Sequence, residues 1–350
     1  MTNPTIRAID LFCGVGGLTH GLARAGIDVV AGIDIDPACK YPYEANNTAE
    51  FIKRDVNELA AADVADMIGG AALSMIAGCA PCQPFSTYSR SGRSKKRGSD
   101  WQLVEAFGRI VSEVQPDLVT MENVPQLLDH LVFEKFLENL GNYKVEWSVV
   151  QAARIGIPQT RKRLVLIASK LGADGLALPQ DKRRVKTVRE AIGSLRPIRA
   201  GEADPKDRLH VASRLSKTNL ERIRQSKPGG TWRDWPVELQ AACHRKSTGS
   251  TYPSVYGRMS WDEASPTITT QCFGYGNGRF GHPTQDRAIS LREAAILQTF
   301  PPKYKFVRPD EAVRFSVLGR LIGNAVPVRL AEVVGETVIS HVRRCRQPAD

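Results

Sequence analysis

The chain has 350 residues, 42% of them hydrophobic and 24% charged, enough to bury a full core and to split into one large domain and one smaller one. No apolar stretch approaches the ~20 residues that cross a bilayer, and the segment Met1–Thr5 lacks the basic start and apolar run of a secretory signal. Seven cysteines without a framework of spacings suit a reducing cytoplasm and not a disulfide scaffold, while a net charge of +11 points to a polyanionic partner without separating nucleic acid from a membrane surface.

In chain order, Ile6–Asp10 is the first predicted strand, running into the glycine-rich turn Leu11–Gly17 and then a helix with Leu18, Leu22 and Ala25 on one face. Val29–Ile33 is a second strand ending at Asp34, followed by a helix around residues 38–46; Phe51–Lys53 is a third, stopping before Asp55. Leu73–Ala77 is the fourth, ending in Gly78, and Asp117–Met121 the fifth, ending at Glu122. Short apolar strands alternating with helices predict a parallel sheet with crossover helices. Acidic and reactive residues recur at the C-terminal ends of these strands, the edge where open α/β sheets bind ligands. From about residue 171 the texture turns to Pro, Gly, Trp and basic residues, which predicts a second, loop-rich domain over 171–300, with a hinge, and a connection over 301–317. Residues 1–170 form the first domain, completed by 318–350. Helical pattern returns at Ser290–Gln298, where Ser290 and Glu293 are spaced as a capping box, and again from about Val328 to Val342.

Cys82 stands in the run Gly78-Cys-Ala-Pro-Cys-Gln-Pro-Phe-Ser86, just past the fourth strand. Pro81 fixes its own φ and holds Ala80 extended, so the thiol is presented along a restricted path, as a nucleophile requires. Cys79 and Cys82 also form a C-x-x-C pair, open to reading as a redox dithiol or half a zinc site. Zinc would want a second pair, yet Cys13, Cys39, Cys243, Cys272 and Cys345 are scattered singly, and no metal is expected. A thioredoxin-like dithiol sits at a helix start, whereas Gln83–Gly92 is loop.

Asp10–Gly17 reads D-x-F-x-G-x-G-G, a glycine-rich turn that lets a ligand approach the backbone, although not the dehydrogenase spacing. Asp34 at the end of strand two is placed to accept from ribose hydroxyls, and Asp55 after strand three from an adenine amino group. Each aspartate singly could equally cap the following helix; three in register favour adenosine. Arg90, Arg93, Lys95, Lys96 and Arg97 crowd the Ser/Gly-rich loop after Cys82, and a second cluster runs from Lys182 to Arg189. Charge runs are most often solvated faces, but a basic loop joined to a nucleophile would bring phosphates to it.

With Pro81-Cys82-Gln83, Glu122-Asn123-Val124, Gln159-Thr-Arg161-Lys-Arg163, Arg292–Pro301 and Gly323-Asn-Ala-Val-Pro327 in this order, the chain resembles the prokaryotic DNA (cytosine-5)-methyltransferases over roughly residues 6–168 and 251–335. The resemblance implies an α/β, Rossmann-like S-adenosylmethionine-dependent methyltransferase domain with a smaller, loop-rich target-recognition domain. It implies that Asp10, Phe12, Gly14, Gly16 and Gly17 hold the cofactor, with Asp34 on the ribose, Asp55 and Val56 on the adenine, and Ile35, Pro81, Asn324 and Val326 completing the pocket. Ile35 stands where many members carry an aromatic, and Cys13 where a smaller residue is usual. Cys82 would add to C6 of cytosine, Glu122 would contact N3 and the exocyclic amine, and Arg163 with Arg161 would hold the ring through O2. The target base would flip out of the duplex. Gln83, Ser86 and the five basic loop residues would meet DNA, as would Arg233 and Arg258 in segments that look like those of bacterial members. The loop after Cys82 departs from the family: it is a few residues longer and ends in Asp100-Trp-Gln102 where Asp-x-Arg is usual. Double-stranded DNA, a monomeric state and a cytoplasmic location are the implied setting of an enzyme of the restriction-modification or orphan type, the first with a cognate restriction endonuclease. Cys79 is left as a packing residue. A tRNA-methylating member and a DNA-binding protein without catalysis are the competing readings; the first is expected to carry a Cys-Phe-Thr tripeptide, for which Cys272-Phe-Gly is a poor substitute, and the second to lack a catalytic residue.

Overall fold

The structure, a computed structural model, describes residues 5–81, 101–178, 184–246, 249 and 253–346. Strands β1 (Ile6–Leu11), β2 (Asp28–Asp34), β3 (Glu50–Lys53), β4 (Leu73–Gly78), β5 (Leu118–Asn123), β6 (Lys144–Gln151) and β7 (Lys162–Ser169) form one sheet in the order β3-β2-β1-β4-β5-β7-β6. The first five are parallel and fall where the apolar runs place them, because a strand covered by helices on both faces reads as a near-continuous apolar segment. The sheet is not parallel throughout: β7 runs antiparallel to β5, and β6 antiparallel to β7. This hairpin-like return has a consequence for the site, since it brings the first residues of β7 to the edge where β5 ends.

Helices α1 (Gly17–Ala25), α2 (Lys40–Glu44), α3 (Ala61–Ile68), α4 (Gln102–Val114) and α5 (Leu131–Leu140) accompany the sheet. On α4, Val104, Phe107, Ile110 and Val111 recur at helical spacing and are buried, with Phe107 edge-on to Phe136 of α5 at 5.2 Å. The helix expected around residues 38–46 is interrupted: Pro37–Cys39 is a 3₁₀ turn capped by the Asp36 carboxylate, and only then does α2 begin.

The chain divides into two compact units, one spanning Met1–Gln151, Lys162–Lys182 and Val326–Asp350, the other Ala152–Arg161 and Arg183–Ala325. The second carries α6 (Val188–Ile192), the two-stranded sheet of β8 (Ala203–Asp204) and β9 (Asp207–Val211), α7 (Lys217–Gln225), α8 (Leu291–Leu297) and α9 (Phe315–Asn324). The Ser290–Glu293 capping box is formed at the start of α8. An apolar cluster of Ile223, Trp232, Trp235, Val255, Tyr275 and Ala288 is supplemented by buried ion pairs. Arg287 holds Glu293 through two hydrogen bonds of 2.7 and 2.8 Å. Burial alone would raise the Glu293 carboxyl; the bonds and charge of Arg287, with His282 and the Ser290 amide, outweigh it and bring it down to about 2. Burial pushes the neighbouring His282 down to about 4, so it is neutral there.

The last helix, α10 (Val328–Arg346), belongs to the first unit and packs on α1. The approach is close: a Cβ at Gly21 would overlap the Val328 carbonyl and the Ala331 side chain, and one at Gly335 would lie 2.6 Å from Ala25 Cβ. Among the described residues no helix is long and apolar enough to cross a membrane.

Candidate active site

The turn after β1 is built from left-handed residues. Gly14 and Gly16 have φ of +53° and +85°, and Phe12, which lacks glycine's freedom, has +60°. A non-glycine residue held there carries a strain that the surrounding structure must impose. Asp10 is what holds the turn: its buried Oδ2 accepts from the Thr19 amide at 3.1 Å and the Thr19 hydroxyl at 2.7 Å, tying β1 to the first turn of α1. The Thr19 hydroxyl also meets the Tyr43 hydroxyl at 3.0 Å. Asp10 is fully buried, so it supports the turn from within and does not itself line a surface, which differs from the expectation that it holds a cofactor directly. Burial, offset in part by the Thr19 bonds and reinforced by Asp34, pushes its carboxyl up to about 7.

Asp34 reaches back across the turn. One carboxylate oxygen accepts from the Gly14 amide and the other from the Asp36 amide, both at 2.9 Å. Beside it Ile35 is 61% exposed, an apolar side chain standing in solvent at the sheet edge. Asp55 caps the 3₁₀ turn Val56–Glu58 through the Asn57 amide at 2.9 Å, so the capping reading holds for it in the structure; Val56 is buried. Gly17 opens α1, Val326 is buried in the same unit, and Asn324, exposed, ends α9 in the other. Cys13 is buried, and burial pushes its thiol well above the usual range, as a packing residue requires. The space where a Gly14 Cβ would stand is open, and with an acidic side chain and an exposed apolar one beside it the groups present fit a nucleoside-bearing cofactor.

The reactive end lies on β4, β5 and β7. Glu122, next to last in β5, is buried, and Arg163 of β7 places Nε 2.9 Å from its Oε1. The antiparallel register explains the meeting, for Glu122 pairs with Val165 and Asn123 with Leu164, so the start of β7 overhangs the end of β5. On the other carboxylate oxygen, Cys79 donates from Sγ to Oε2 at 2.8 Å. Cys79 is therefore not simply a packing residue: it leaves β4 two residues past the Ala77–Thr120 pairing and lands beside the neighbouring strand's carboxylate. Asn123 adds a second tie, donating from Nδ2 to the Ala80 carbonyl at 3.1 Å. Sequence reading foresaw neither contact, although Asn123 stands within a quoted motif and Cys79 three residues before Cys82. Pro81 follows, exposed. Cys82, Gln83, Ser86, Arg90, Arg93, Lys95, Lys96 and Arg97 lie outside the described residues.

In the second unit Arg161 is buried and donates from one guanidinium nitrogen to the carbonyls of Ile268, at 3.1 Å, and Gly323, at 3.4 Å. Gln159 donates to Gln298 Oε1 at 2.9 Å and accepts from the Ile268 amide at 3.0 Å, while Gln298 donates to the Ile322 carbonyl at 2.9 Å. Three motifs far apart in sequence thus meet in one buried amide network, and Arg161 serves that network where ring contact was expected. Arg258 also corrects its expectation. It is buried, with its guanidinium spent on the carbonyls of Ile223, Ser226, His282 and Gln285 and on the Asp286 carboxylate, so it organises the loops and cannot reach DNA. Arg233 is exposed, its guanidinium 5.7 Å from the Trp232 ring centre. Trp232 is core, as its size in a loop-rich unit suggests, whereas Trp261 is half-buried.

A sheet of this order with a left-handed glycine turn after β1 is Rossmann-like, and a carboxylate–guanidinium pair stands at the same edge. The chain can be superposed on a crystal structure described as that of a DNA modification methyltransferase encoded within an E. coli prophage, with a TM-score of 0.73, 24% identity, and coverage of 97% of this chain and 100% of that one. It also matches the Entamoeba histolytica methyltransferase EhMeth, with a TM-score of 0.69, 14% identity, and coverage of 97% and 99%. At these identities the likeness is one of fold. The family model for C-5 cytosine-specific DNA methylase matches residues 6–340, and the chain belongs to that family. It is 50% identical over 336 residues to the type II methylase M.HgiDII of Herpetosiphon aurantiacus, covering 94% of each. It is 32% identical over 340 residues to the type II methyltransferase M1.HphI of Haemophilus parahaemolyticus, covering 95% of this chain and 86% of the relative.

Proposed function

We propose that this DNA (cytosine-5)-methyltransferase modifies a cytosine flipped out of a specific duplex sequence, with Cys82 as the nucleophile. The observation that carries the reading is the Glu122–Arg163 pair at the sheet edge where β4 leads into Pro81-Cys82-Gln83. Phe12, Gly14, Gly16, Gly17, Asp34, Ile35, Asp55, Val56, Pro81, Asn324 and Val326 would hold S-adenosylmethionine, with Asp10 bracing the turn beneath. When bound, that cofactor supplies a methyl group activated by sulfonium charge. C5 of cytosine is too weak a nucleophile to take it unaided. The Cys82 thiolate adds to C6, which makes C5 enamine-like, and Glu122 stabilises the charge that builds at N3 and the exocyclic amine. Arg163 aims Glu122 and meets O2 of the ring. After C5 carries the methyl group, loss of its proton and elimination of Cys82 restore the aromatic ring. A base within a duplex is out of reach, so extrusion precedes the chemistry. Gln83, Ser86, Arg90, Arg93, Lys95, Lys96, Arg97 and Arg233 would contact DNA. The type II relatives support a role in restriction-modification, and the proposed enzyme is monomeric and cytoplasmic, with a cognate restriction endonuclease.

The test offers duplex DNA and tRNA side by side, followed by bisulfite sequencing of the DNA. Methylation of one DNA sequence is expected, and activity confined to tRNA would overturn the reading. Cys82→Ser should abolish turnover while duplex binding persists, and duplex containing 5-fluorocytosine should trap the wild-type protein as a covalent adduct.

A further inference from the structure

We infer that Cys79 is a positioning residue for the reaction: its thiol fixes the second oxygen of Glu122 and so sets how the carboxylate faces the target ring. The inference rests on the assignment of Glu122 above. Arg163 Nε pairs its charge with Glu122 Oε1 at 2.9 Å without forming a hydrogen bond, and Cys79 Sγ donates to Oε2 at 2.8 Å. A carboxylate held only by a neighbouring charge still rotates about its last torsion, which is broad for glutamate. Here the directional bond from Cys79 to Oε2 sets that torsion while Arg163 supplies only its charge beside Oε1, which is left without a hydrogen bond. The three partners come from adjacent strands, so the geometry is set by the sheet and not by a loop: Cys79 directly follows β4, Glu122 is on β5, and Arg163 is on β7.

Two further bonds make this placement rigid. The Cys79 amide donates to the Leu11 carbonyl at 3.3 Å, anchoring it to the end of β1. The next residue, Ala80, receives Asn123 Nδ2 on its carbonyl at 3.1 Å, and Asn123 Oδ1 in turn accepts from the Val124 amide at 2.8 Å. Side chains of consecutive residues on β5, Glu122 and Asn123, thus grip consecutive residues at the exit of β4, Cys79 and Ala80. The C-x-x-C spacing acquires a division of labour from this: the first thiol orients the carboxylate, and the second, three residues on, attacks the ring. A part-buried carboxylate oxygen that loses its donor is left unsatisfied. Loss of the Cys79 donor should appear in turnover, where Glu122 works, and not in cofactor binding.

The experiment compares Cys79→Ser, Cys79→Ala and Cys79→Val in the full-length protein with wild type, measuring kcat, KM for S-adenosylmethionine, duplex affinity and thermal midpoint. Serine keeps a donor; valine keeps the volume and removes the donor. Expected are a kcat within about threefold of wild type for Cys79→Ser and a fall of about tenfold or more for both Cys79→Ala and Cys79→Val, with KM and duplex affinity unchanged. A Cys79→Val enzyme with wild-type kcat, or a serine variant as impaired as alanine, would overturn the role. A fall in kcat that follows the thermal midpoint across all three variants would do so as well, by reducing Cys79 to packing. A wild-type protein that methylates no DNA would instead refute the reading of Glu122 on which the inference stands.

Discussion

Asp10 places an acid where the fold provides little to balance its charge. Thr19 satisfies Oδ2, while Oδ1 has no hydrogen-bond partner among the described residues, and burial lifts the group from 3.8 to about 7. An acid raised in this way holds its proton in the folded state over a range where the unfolded chain has released it. Its contribution is full below 3.8 and disappears as pH climbs through about 7. Asp10→Asn, which keeps an acceptor for Thr19 and does not titrate, should therefore gain in thermal midpoint relative to wild type as pH rises from about 4 to about 8. A constant difference across that range would show that Asp10 stays ionised. Asp10 was legible as part of a turn motif, but its burial was not. Arg258 shows the same limit from the other side: an arginine among glycines and tryptophans looks exposed in sequence, and only the folded loops reveal five acceptors converging on it. Cys79 was hidden for a related reason, because its partner is a strand away in space and more than forty residues away in sequence.

Among the elements, the parallel strands were legible because burial on both faces leaves an unbroken apolar run, and α8 because its capping box is local. The β6–β7 return was not. β6 (KVEWSVVQ) is an edge strand, mostly outside the core, and β7 begins inside Gln159–Arg163, where charge hides the apolar residues that follow. Both α1 and α10 were legible as helices, but their close pairing was not, because it depends on Gly21 and Gly335 at the contact. It yields a direct test. Gly21→Ala should destabilise the protein by about 1–3 kcal/mol in urea unfolding, since the added methyl has the Val328 backbone and not a flexible side chain to displace. Unchanged stability would mean that α10 can move away from α1 at no cost.

The whole molecule is strongly basic, with a formal net charge of +11. Arg258, Arg287 and Arg292, buried in the second unit, each pair with a carboxylate and so add nothing to that excess. The residues that remain for phosphates, Arg233 among them, should still give duplex affinity a steep dependence on ionic strength, weakening about tenfold or more between roughly 50 and 200 mM salt. A flat dependence would indicate that phosphate contacts contribute little to binding. Fold class and the set of motifs were readable across this scale, because motif order survives in sequence. The purpose of several motifs was not, since Gln159, Arg161 and Gln298 resemble site residues yet build an internal scaffold.

The seating of α10 on α1 also bears on how the protein is made. The face of α1 around Gly21 and Ala25 is finished by residues that leave the ribosome roughly 300 positions later, after the entire second unit has been synthesised. The nascent first unit must wait, with that face bare, for its closing helix. A stalled or truncated chain lacking α10 would then be an aggregation-prone fragment and not a slow enzyme, so that methylation begins only with molecules translated through α10.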